Sequence, residues 1–325
     1  MASTSVRSRS AERGYTGRSN EFFNRPEPLA SHYVIQVLNA VQYGLLLFLV
    51  ASGLTLVFGT MGVINLAHGS FYMLGAYLAW SLADRLDSFW AAIALGVPLS
   101  VAFGLALEWL LIHRLYGRDH LYQVLLTYGL ILMLEEMRSL LWGDDVHSVP
   151  APRPLGGSVA LTETLSYPVY RLWISGVCLA IAASMYGVIQ RTRLGMMIRA
   201  GASNREMTQA LGINLGLLNR VVFALGIGGA ALAGMIAAPI SSVFPGMGSQ
   251  VLIISFVVVV IGGIGSLKGA MVAAILIGLV DTFGKVSELE IGGLRILPAL
   301  SGTAVYVLMG AVLVWRPEGI FGRKP

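Results

Sequence analysis

The sequence predicts an all-α membrane protein, a polytopic helical bundle of about eight or nine spans. Of its 325 residues, 56% are hydrophobic and only 12% are charged, whereas a soluble domain has about 25% charged residues. Apolar stretches recur from Tyr33 to Trp315, each of about 17 to 25 residues, the length that crosses ~30 Å of hydrocarbon as a helix. Runs such as "VLIISFVVVVIGG" are apolar on every side, which excludes the alternating strands of a barrel.

The chain divides into one transmembrane domain, residues 31–318, between two tails. Residues 1–30 are polar, Arg-rich and Pro-containing, with no apolar core for a cleavable signal, and are predicted to be a disordered tail. Residues 319–325 form a short cytoplasmic tail. The predicted spans are residues 34–58, 64–83, 89–113, 122–141, 170–189, 219–243, 251–283 with an internal break, and 298–315.

Clusters of basic residues between spans indicate the orientation. Arg114 and Arg118, the segment Arg191–Arg220, and Arg316 near the C-terminus mark cytoplasmic loops. The net charge of +5 therefore reflects membrane topology and does not indicate nucleic acid. The stretch 143–168, acidic at its start and rich in Pro and Gly, falls on the external side as a candidate docking surface.

The side of the N-terminus is left open by the sequence. Five arginines, at positions 7, 9, 13, 18 and 25, favour the cytoplasm. Counting spans back from Arg114 instead places the N-terminus outside, if the first two runs are both complete crossings. Either one of those runs is broken or re-entrant, or residues Leu29 to Gln42 lie along the interface.

Two Gly-rich interruptions suggest an internal repeat and a transport path. "LTLVFGTMGVINLAHGSFYMLGAY" and "ISFVVVVIGGIGSLKGAMVAAILIGL" share a plan of apolar run, glycines, small polar residue and second apolar run. Interrupted helices at matching places indicate a path at the repeat interface. Polar side chains there must pair within the bundle or meet water, and the glycines are gate or packing positions. The candidate path residues are Asn65, His68, Gly69, Glu135, Gly262, Gly263 and Gly265.

Glu135 and His68 each have an alternative interpretation. An intramembrane carboxylate is a functional candidate, but Arg138 lies at the i,i+3 spacing and the nearby Trp142 indicates the membrane interface. Glu135 is then one half of a pair at a helix end. His68 has no His, Cys or carboxylate at metal-ligand spacing, so no metal is assigned.

The segment of residues 190–218 has the design of a cytoplasmic coupling element. Asn204 or Ser203 can cap a short helix, Glu206 sits in its first turn, and Gly212 ends it. Met207, Ala210 and Leu211 form one apolar face. Such a helix either lies on the lipid surface or docks on a cytoplasmic ATPase. The candidate coupling residues are Arg199, Ala200, Asn204, Glu206, Ala210, Leu211, Gly212 and Ile213.

Enzyme chemistry has no support in the sequence. "GGIGSLKGA" places Lys268 near glycines but lacks the Gly-Lys-Ser/Thr ending of a phosphate-binding loop. Neither a Gly-x-Ser-x-Gly elbow nor a His-Glu-x-x-His pair occurs, and Cys178, the single cysteine, sits inside an apolar run as an expected inert thiol. The chain is expected to bind no cofactor and no ATP itself.

Three stretches resemble a known family. "GLTLVFGTMGVINLAHGSFYMLGAYLA", "MIRAGASNREMTQALGIN" and "VVVIGGIGSLKGAMVAAILIGL", with the closing "RPEGIFGR", are similar to the signature segments of branched-chain amino-acid ABC importer permeases of the LivH type. The similarity spans residues 33–322. It departs from the family pattern in the long Arg-rich stretch before Tyr33.

The resemblance implies a non-catalytic permease subunit of the bacterial inner membrane. It would pair with a LivM-type permease, two cytoplasmic ATPases that bind the ATP, and a periplasmic substrate-binding protein. Residues Arg199 to Ile213 would then be the coupling region. The implied substrates are branched-chain amino acids or related small carboxylates and amides, including aromatic acids and urea. A self-sufficient secondary transporter or channel, and a non-transporting scaffold, are the alternatives.

Overall fold

A computed structural model describes residues 29–162, 165–286, 290–291 and 294–322. The predicted tail therefore lies outside the described residues, except that Leu29 and Ala30 already belong to the first helix. The helices are α1 Leu29–Met61, α2 His68–Leu86, α3 Phe89–Leu110, α4 His120–Trp142, α5 Val169–Arg191, α6 Arg193–Ser203, α7 Arg205–Ala210, α8 Leu215–Ser241, α9 Met247–Gly262, α10 Leu267–Val286 and α11 Ile296–Trp315.

The remaining elements are short. Two antiparallel hairpins pair β1 Ser158–Thr162 with β2 Leu165–Pro168, and β3 Glu290–Ile291 with β4 Leu294–Arg295. Single 3-10 turns cover Ile112–Leu115 and Arg153–Leu155. Five of the described helices are long and apolar enough to cross a membrane by length and composition: α1 from Tyr33, α3, α5, α8 and α10. The helical, multi-pass membrane architecture predicted from the sequence is confirmed, with the predicted spans shifted by a few residues.

Contacts at the two ends of α1 place the faces of the bundle. Near its start, the Asn39 side-chain oxygen accepts hydrogen bonds from the Tyr167 hydroxyl at 3.1 Å and from Arg171 at 2.8 Å. At its end, the Met61 carbonyl accepts a hydrogen bond from Arg205 at 2.6 Å. We call the side of the bundle that carries the β1–β2 hairpin the hairpin face, and the side that carries the Arg191–Arg220 segment the basic face. Helix α1 therefore runs from the hairpin face to the basic face.

The direction of α1 shows on which face of the bundle the first helix begins, which the charges in the sequence left open. Residues 29–42 continue the same helix as residues 43–61, so they do not turn along the interface. The start of α1 lies on the hairpin face, opposite the basic clusters. The structure thus supports complete crossings by both of the first two runs, which together with α3 make three crossings before Arg114.

The second crossing begins with non-helical residues 62–67, the return segment. The His68 ring nitrogen Nε2 lies 3.1 Å from the Val50 carbonyl oxygen, and Val50 precedes the end of α1 by eleven residues, or about 16 Å of helix. The return segment therefore runs back along α1, and α2 begins beside the middle of that helix. The predicted span 64–83 is helical only from His68.

The second Gly-rich stretch folds differently. Residues 263–266 form a tight turn between α9 and α10 at the basic face, in which Gly263 and Gly265 have φ values of +95° and +78°. The predicted break within residues 251–283 is thus a hairpin between two helices. The two stretches nevertheless meet, because a Cβ added to Gly59 would lie 2.7 Å from the Gly265 Cα.

Glycines allow α1, α2 and α8 to pack backbone to backbone. A Cβ on Gly75 would overlap the carbonyl oxygen of Ala231, and one on Gly53 would lie 2.7 Å from Gly226. Without a hydrophobic driving force between helices in lipid, such close approach supplies the association energy. These three helices form the buried core that carries the return segment.

Candidate functional site

Asn65 and His68 are fully buried around the start of α2. The Asn65 side-chain oxygen accepts a hydrogen bond from the Ala67 backbone N–H at 3.1 Å, which satisfies one donor of the return segment. Within the described residues, Asn65 Nδ2 and His68 Nδ1 have no hydrogen-bond partner. In this conformation both residues are enclosed by protein, so their role in a solute path stays a prediction.

Two side chains of α4 hold the backbone of the return segment. The Gln123 Oε1 accepts a hydrogen bond from the Ile64 N–H at 3.2 Å, and the Thr127 hydroxyl lies 3.4 Å from the Ile64 carbonyl oxygen. Both side chains are buried. Non-helical backbone at membrane depth requires such internal partners. Sequence reasoning missed both residues, although two polar side chains at i,i+4 in the apolar run "LYQVLLTYG" were the available signal.

Gln123→Leu is expected to destabilise the protein by about 1–3 kcal/mol, because it leaves the N–H of the half-buried Ile64 without its side-chain acceptor. Thermal unfolding in detergent measures the loss as a lower midpoint. Gln190→Leu, at an exposed position of α5, is the matched control and should leave the midpoint unchanged. Equal midpoints for the two variants would contradict the assigned role of Gln123.

The predicted path glycines are positions of close contact or positive φ. A Cβ on Gly69 would overlap the Gly248 backbone, and one on Gly262 would meet the backbone of Gly269 and Ala270. Gly263 and Gly265 form the α9–α10 turn described above. These contacts account for the glycines by packing, and their assignment to a solute path remains a prediction.

Glu135 makes the ion pair that its spacing predicted. Its carboxylate lies 3.4 Å from the Arg138 guanidinium, which also contacts the Asp144 carboxylate at 2.8 Å. The Arg138 side chain is buried, and its hydrogen bond to the exposed Asp144 lowers the pKa of that carboxyl. The cluster joins the end of α4 to the loop that follows it on the hairpin face, which fits the helix-end interpretation of Glu135.

The coupling segment has the local structure that the sequence predicted. The Asn204 side chain caps α7 by accepting a hydrogen bond from the Met207 N–H at 2.9 Å, and Gly212 follows the helix with φ +82°. Met207 and Leu211 are 59% and 74% exposed, so their apolar side chains find no groove within the described residues.

The other predicted coupling residues lie around this helix. Glu206 and Ala210 are exposed, and Ile213 is half-buried. Arg199 and Ala200 belong to α6; the Arg199 guanidinium donates to the Ile189 carbonyl, and the Ala200 carbonyl accepts the Asn204 N–H at 3.0 Å. The structure thus brings the predicted set together in one segment on the basic face.

An ion pair with one buried partner, which the sequence analysis missed, lies at the same face. Glu108, at the end of α3, is buried; its carboxylate accepts a 2.6 Å hydrogen bond from the Tyr116 hydroxyl and lies 3.5 Å from the Arg220 guanidinium. Burial and the Glu108 carboxylate raise the pKa of Tyr116. The cluster fixes the start of α8, which follows the coupling segment, to α3.

No three His, Cys, Asp or Glu side chains gather as metal ligands would in the described part of the chain.

The candidate site consists of two parts. One is the return segment with its buried polar side chains, and the other is the exposed helix α7 on the basic face.

Comparison with known proteins assigns the chain to a family. The model of the "Branched-chain amino acid transport system / permease component" family matches residues 36–315. The chain is 30% identical to the high-affinity branched-chain amino acid transport system permease protein BraD of Pseudomonas aeruginosa, over 91% of this chain and 98% of that protein. It is 26% identical to the permease protein LivH of Escherichia coli (strain K12), over 90% and 96%.

A second type of permease protein is also similar. The LivM protein of Escherichia coli (strain K12) is 24% identical over 82% of this chain and 66% of its own length. No solved structure matches the chain significantly. The family model covers almost all of the membrane bundle, and BraD and LivH are covered nearly end to end. The chain therefore belongs to the permease component family of the branched-chain amino acid transport systems.

Proposed function

We propose that this chain is one permease subunit of an ABC importer in the bacterial inner membrane, and that cytoplasmic ATPases dock on α7. The observation that carries the proposal is an ordered, capped helix whose apolar residues Met207 and Leu211 are exposed. Exposed apolar groups on an ordered element are typical of an interaction site. The basic residues around α7 favour the cytoplasmic side.

The solute path is proposed to form between this chain and a second, LivM-type permease. Similarity to both LivH and LivM supports a pair of related subunits. The buried Asn65 and His68 would meet the solute when the helices that enclose them separate. Each chain would then contribute half of the path, and the return segment supplies its non-helical part.

The external partner is proposed to be a periplasmic substrate-binding protein that contacts the hairpin face. Residues 143–146 and 156–160 are exposed there, and Asp144 and Asp145 add negative charge. The substrate class proposed is branched-chain amino acids, as in the names of the relatives, or related small carboxylates and amides such as aromatic acids and urea. The binding protein would supply the affinity, so the path need only admit and release the solute.

Transport would follow alternating access. Closure of two docked ATPases on ATP moves the docking helices, and the bundle opens outward to receive solute; hydrolysis returns it to the inward-open state. ATP hydrolysis in the partner subunits supplies the energy of the cycle, and the difference in ATPase affinity for the two conformations of the bundle couples it to the movement. This chain supplies the path and the docking surface, and the partner subunits bind the ATP.

Leu211→Asp tests the docking surface. A leucine buried at an interface contributes about 1.5–3 kcal/mol, so the charged variant should lower retention of the ATPase subunits on affinity purification by roughly tenfold or more. Val146→Asp, an exposed apolar residue of the external loop, is the matched control and should retain them. Equal retention in both variants would place the contact elsewhere.

Reconstitution separates this proposal from a self-sufficient transporter. The purified complex in liposomes should take up radiolabelled leucine, urea or an aromatic acid only when ATP and a binding protein are present. Uptake by this chain alone, driven by a proton or sodium gradient, would contradict the proposal.

A further inference from the structure

Arg205 joins the proposed docking helix to the broken end of α1. It is the first residue of α7, and its guanidinium donates a 2.6 Å hydrogen bond to the carbonyl oxygen of Met61, 144 residues earlier in the chain. Met61 is the last residue of α1. The last four carbonyls of a helix have no partner within that helix, so Arg205 caps α1 from outside with a charge-assisted hydrogen bond.

The two sides of α7 differ in their contacts. Arg205 is half-buried and reaches the transmembrane bundle, while Glu206, Met207 and Leu211 are exposed. A partner can therefore bind the outer side of α7 without displacing the Arg205 contact. Binding and connection to the bundle are carried by different residues of one short helix.

The chain beyond Met61 leads directly to the candidate path. The return segment starts at the next residue, and its backbone is held by Gln123 and Thr127. It ends at Ala67, next to His68, whose ring nitrogen Nε2 contacts the Val50 carbonyl of α1. The return segment is attached to the end of α1 on one side and to the start of α2 on the other. A displacement of the end of α1 relative to α2 must therefore strain or shift residues 62–67.

We propose that Arg205 is a positioning residue that transmits movement of the docking helix to the return segment by holding the terminal carbonyl of α1. This inference rests on the proposed docking of ATPases on α7. It adds a specific mechanical connection: nucleotide-driven movement of α7 reaches residues 62–67 through the Arg205–Met61 hydrogen bond.

The connection can be measured without knowing the substrate. The parent protein carries Cys178→Ala and Leu66→Cys, so that a half-buried position of the return segment holds its only thiol. The complex with its ATPase subunits is purified, and the rate of maleimide labelling is measured without nucleotide and after trapping with ATP and vanadate. The parent should show a labelling rate that depends on nucleotide.

Arg205→Gln removes the charge-assisted hydrogen bond, and its matched control is Arg193→Gln. Arg193 is exposed on the same segment, and its side chain makes no hydrogen bond or ion pair with the described residues. We expect Arg205→Gln to keep its ATPase subunits. The ratio of its labelling rates with and without trapped nucleotide should fall roughly tenfold relative to the parent, the effect of one hydrogen bond to a charged group. Arg193→Gln should behave as the parent, and Arg205→Lys should give an intermediate response.

The outcomes distinguish this inference from the proposed function. A parent that purifies without ATPase subunits contradicts the docking proposal itself. ATPase subunits lost only from Arg205→Gln would make Arg205 part of the docking surface and overturn its positioning role. A full nucleotide response in Arg205→Gln with bound ATPases would also overturn it. If Arg205→Gln does not accumulate, a response of Arg205→Lys equal to that of the parent has the same meaning.

Discussion

Replacing Gly75 with valine is expected to prevent α2 from packing on α8 and to abolish recovery of the folded permease. The added Cβ would overlap the carbonyl oxygen and carbon of Ala231, which are backbone atoms and cannot rotate away. Overpacking commonly costs about 1–3 kcal/mol, and we expect at least the upper end of that range here. Size-exclusion chromatography of detergent extracts measures the folded, monodisperse fraction.

Gly129→Val is the matched control for this prediction. Gly129 also lies inside a helix, α4, but nothing lies within 4 Å of the position where its Cβ would be. This variant should elute and melt as the parent does. A Gly75→Val protein with the same elution and melting temperature as Gly129→Val would show that α2 and α8 do not pack as closely as described.

Replacing Arg220 with alanine is expected to destabilise the basic face by about 2–3 kcal/mol. The buried Glu108 carboxylate would keep only the Tyr116 hydroxyl as a partner, and an uncompensated buried charge is costly. The effect stays below that of a fully buried pair because half of the Arg220 side chain is exposed and solvent screens it. Thermal unfolding in detergent measures the change.

Glu108→Gln in the Arg220→Ala background provides the decisive comparison. A neutral amide has the size of the carboxylate but no charge to compensate, so the double variant should regain most of the lost stability. Arg193→Ala, which also removes an exposed arginine from the basic face, should cost nothing measurable. Failure of Glu108→Gln to restore stability would show that Arg220 acts through contacts other than the Glu108 charge.

Local features of the fold could be predicted from the sequence because they depend on neighbouring residues. Apolar length identified the membrane helices, and Gly262, Gly263 and Gly265 predicted the break within residues 251–283, which is the turn between α9 and α10. Asn204 and Gly212 correctly predicted the limits of α7, because an Asx cap and a positive-φ glycine act within one turn. The Glu135–Arg138 pair followed from helical spacing in the same way.

Features that depend on contacts between distant segments could not be predicted. The path of the return segment along α1 is set by α4 side chains about 60 residues away, and the cap on Met61 comes from α7. Glu108 appears in the sequence as one carboxylate at a span end, and its burial depends on the packing of Tyr116 and Arg220. The glycines also had two possible interpretations in the sequence, as gate positions or as packing positions, and only tertiary contacts distinguish the two.

The sequence alone did not decide why the "GVINLAHG" stretch contains polar residues, and the structure shows what they contact. Asn65 satisfies a backbone donor in the break, and His68 binds a backbone acceptor of α1. Both roles are needed wherever non-helical backbone lies at membrane depth. The Asn65 Nδ2 and His68 Nδ1 atoms, which have no hydrogen-bond partner among the described residues, are the groups that we propose meet a solute.

Photo-cross-linking from position 207 tests the central claim most directly. A photoreactive phenylalanine analogue replaces Met207 in cells that make the whole transporter, and the cross-linked products are identified by mass spectrometry. We predict a product that joins this exposed side of α7 to a nucleotide-binding subunit. Cross-links to lipid alone, with the ATPase subunits present and assembled, would contradict the docking of ATPases on this helix.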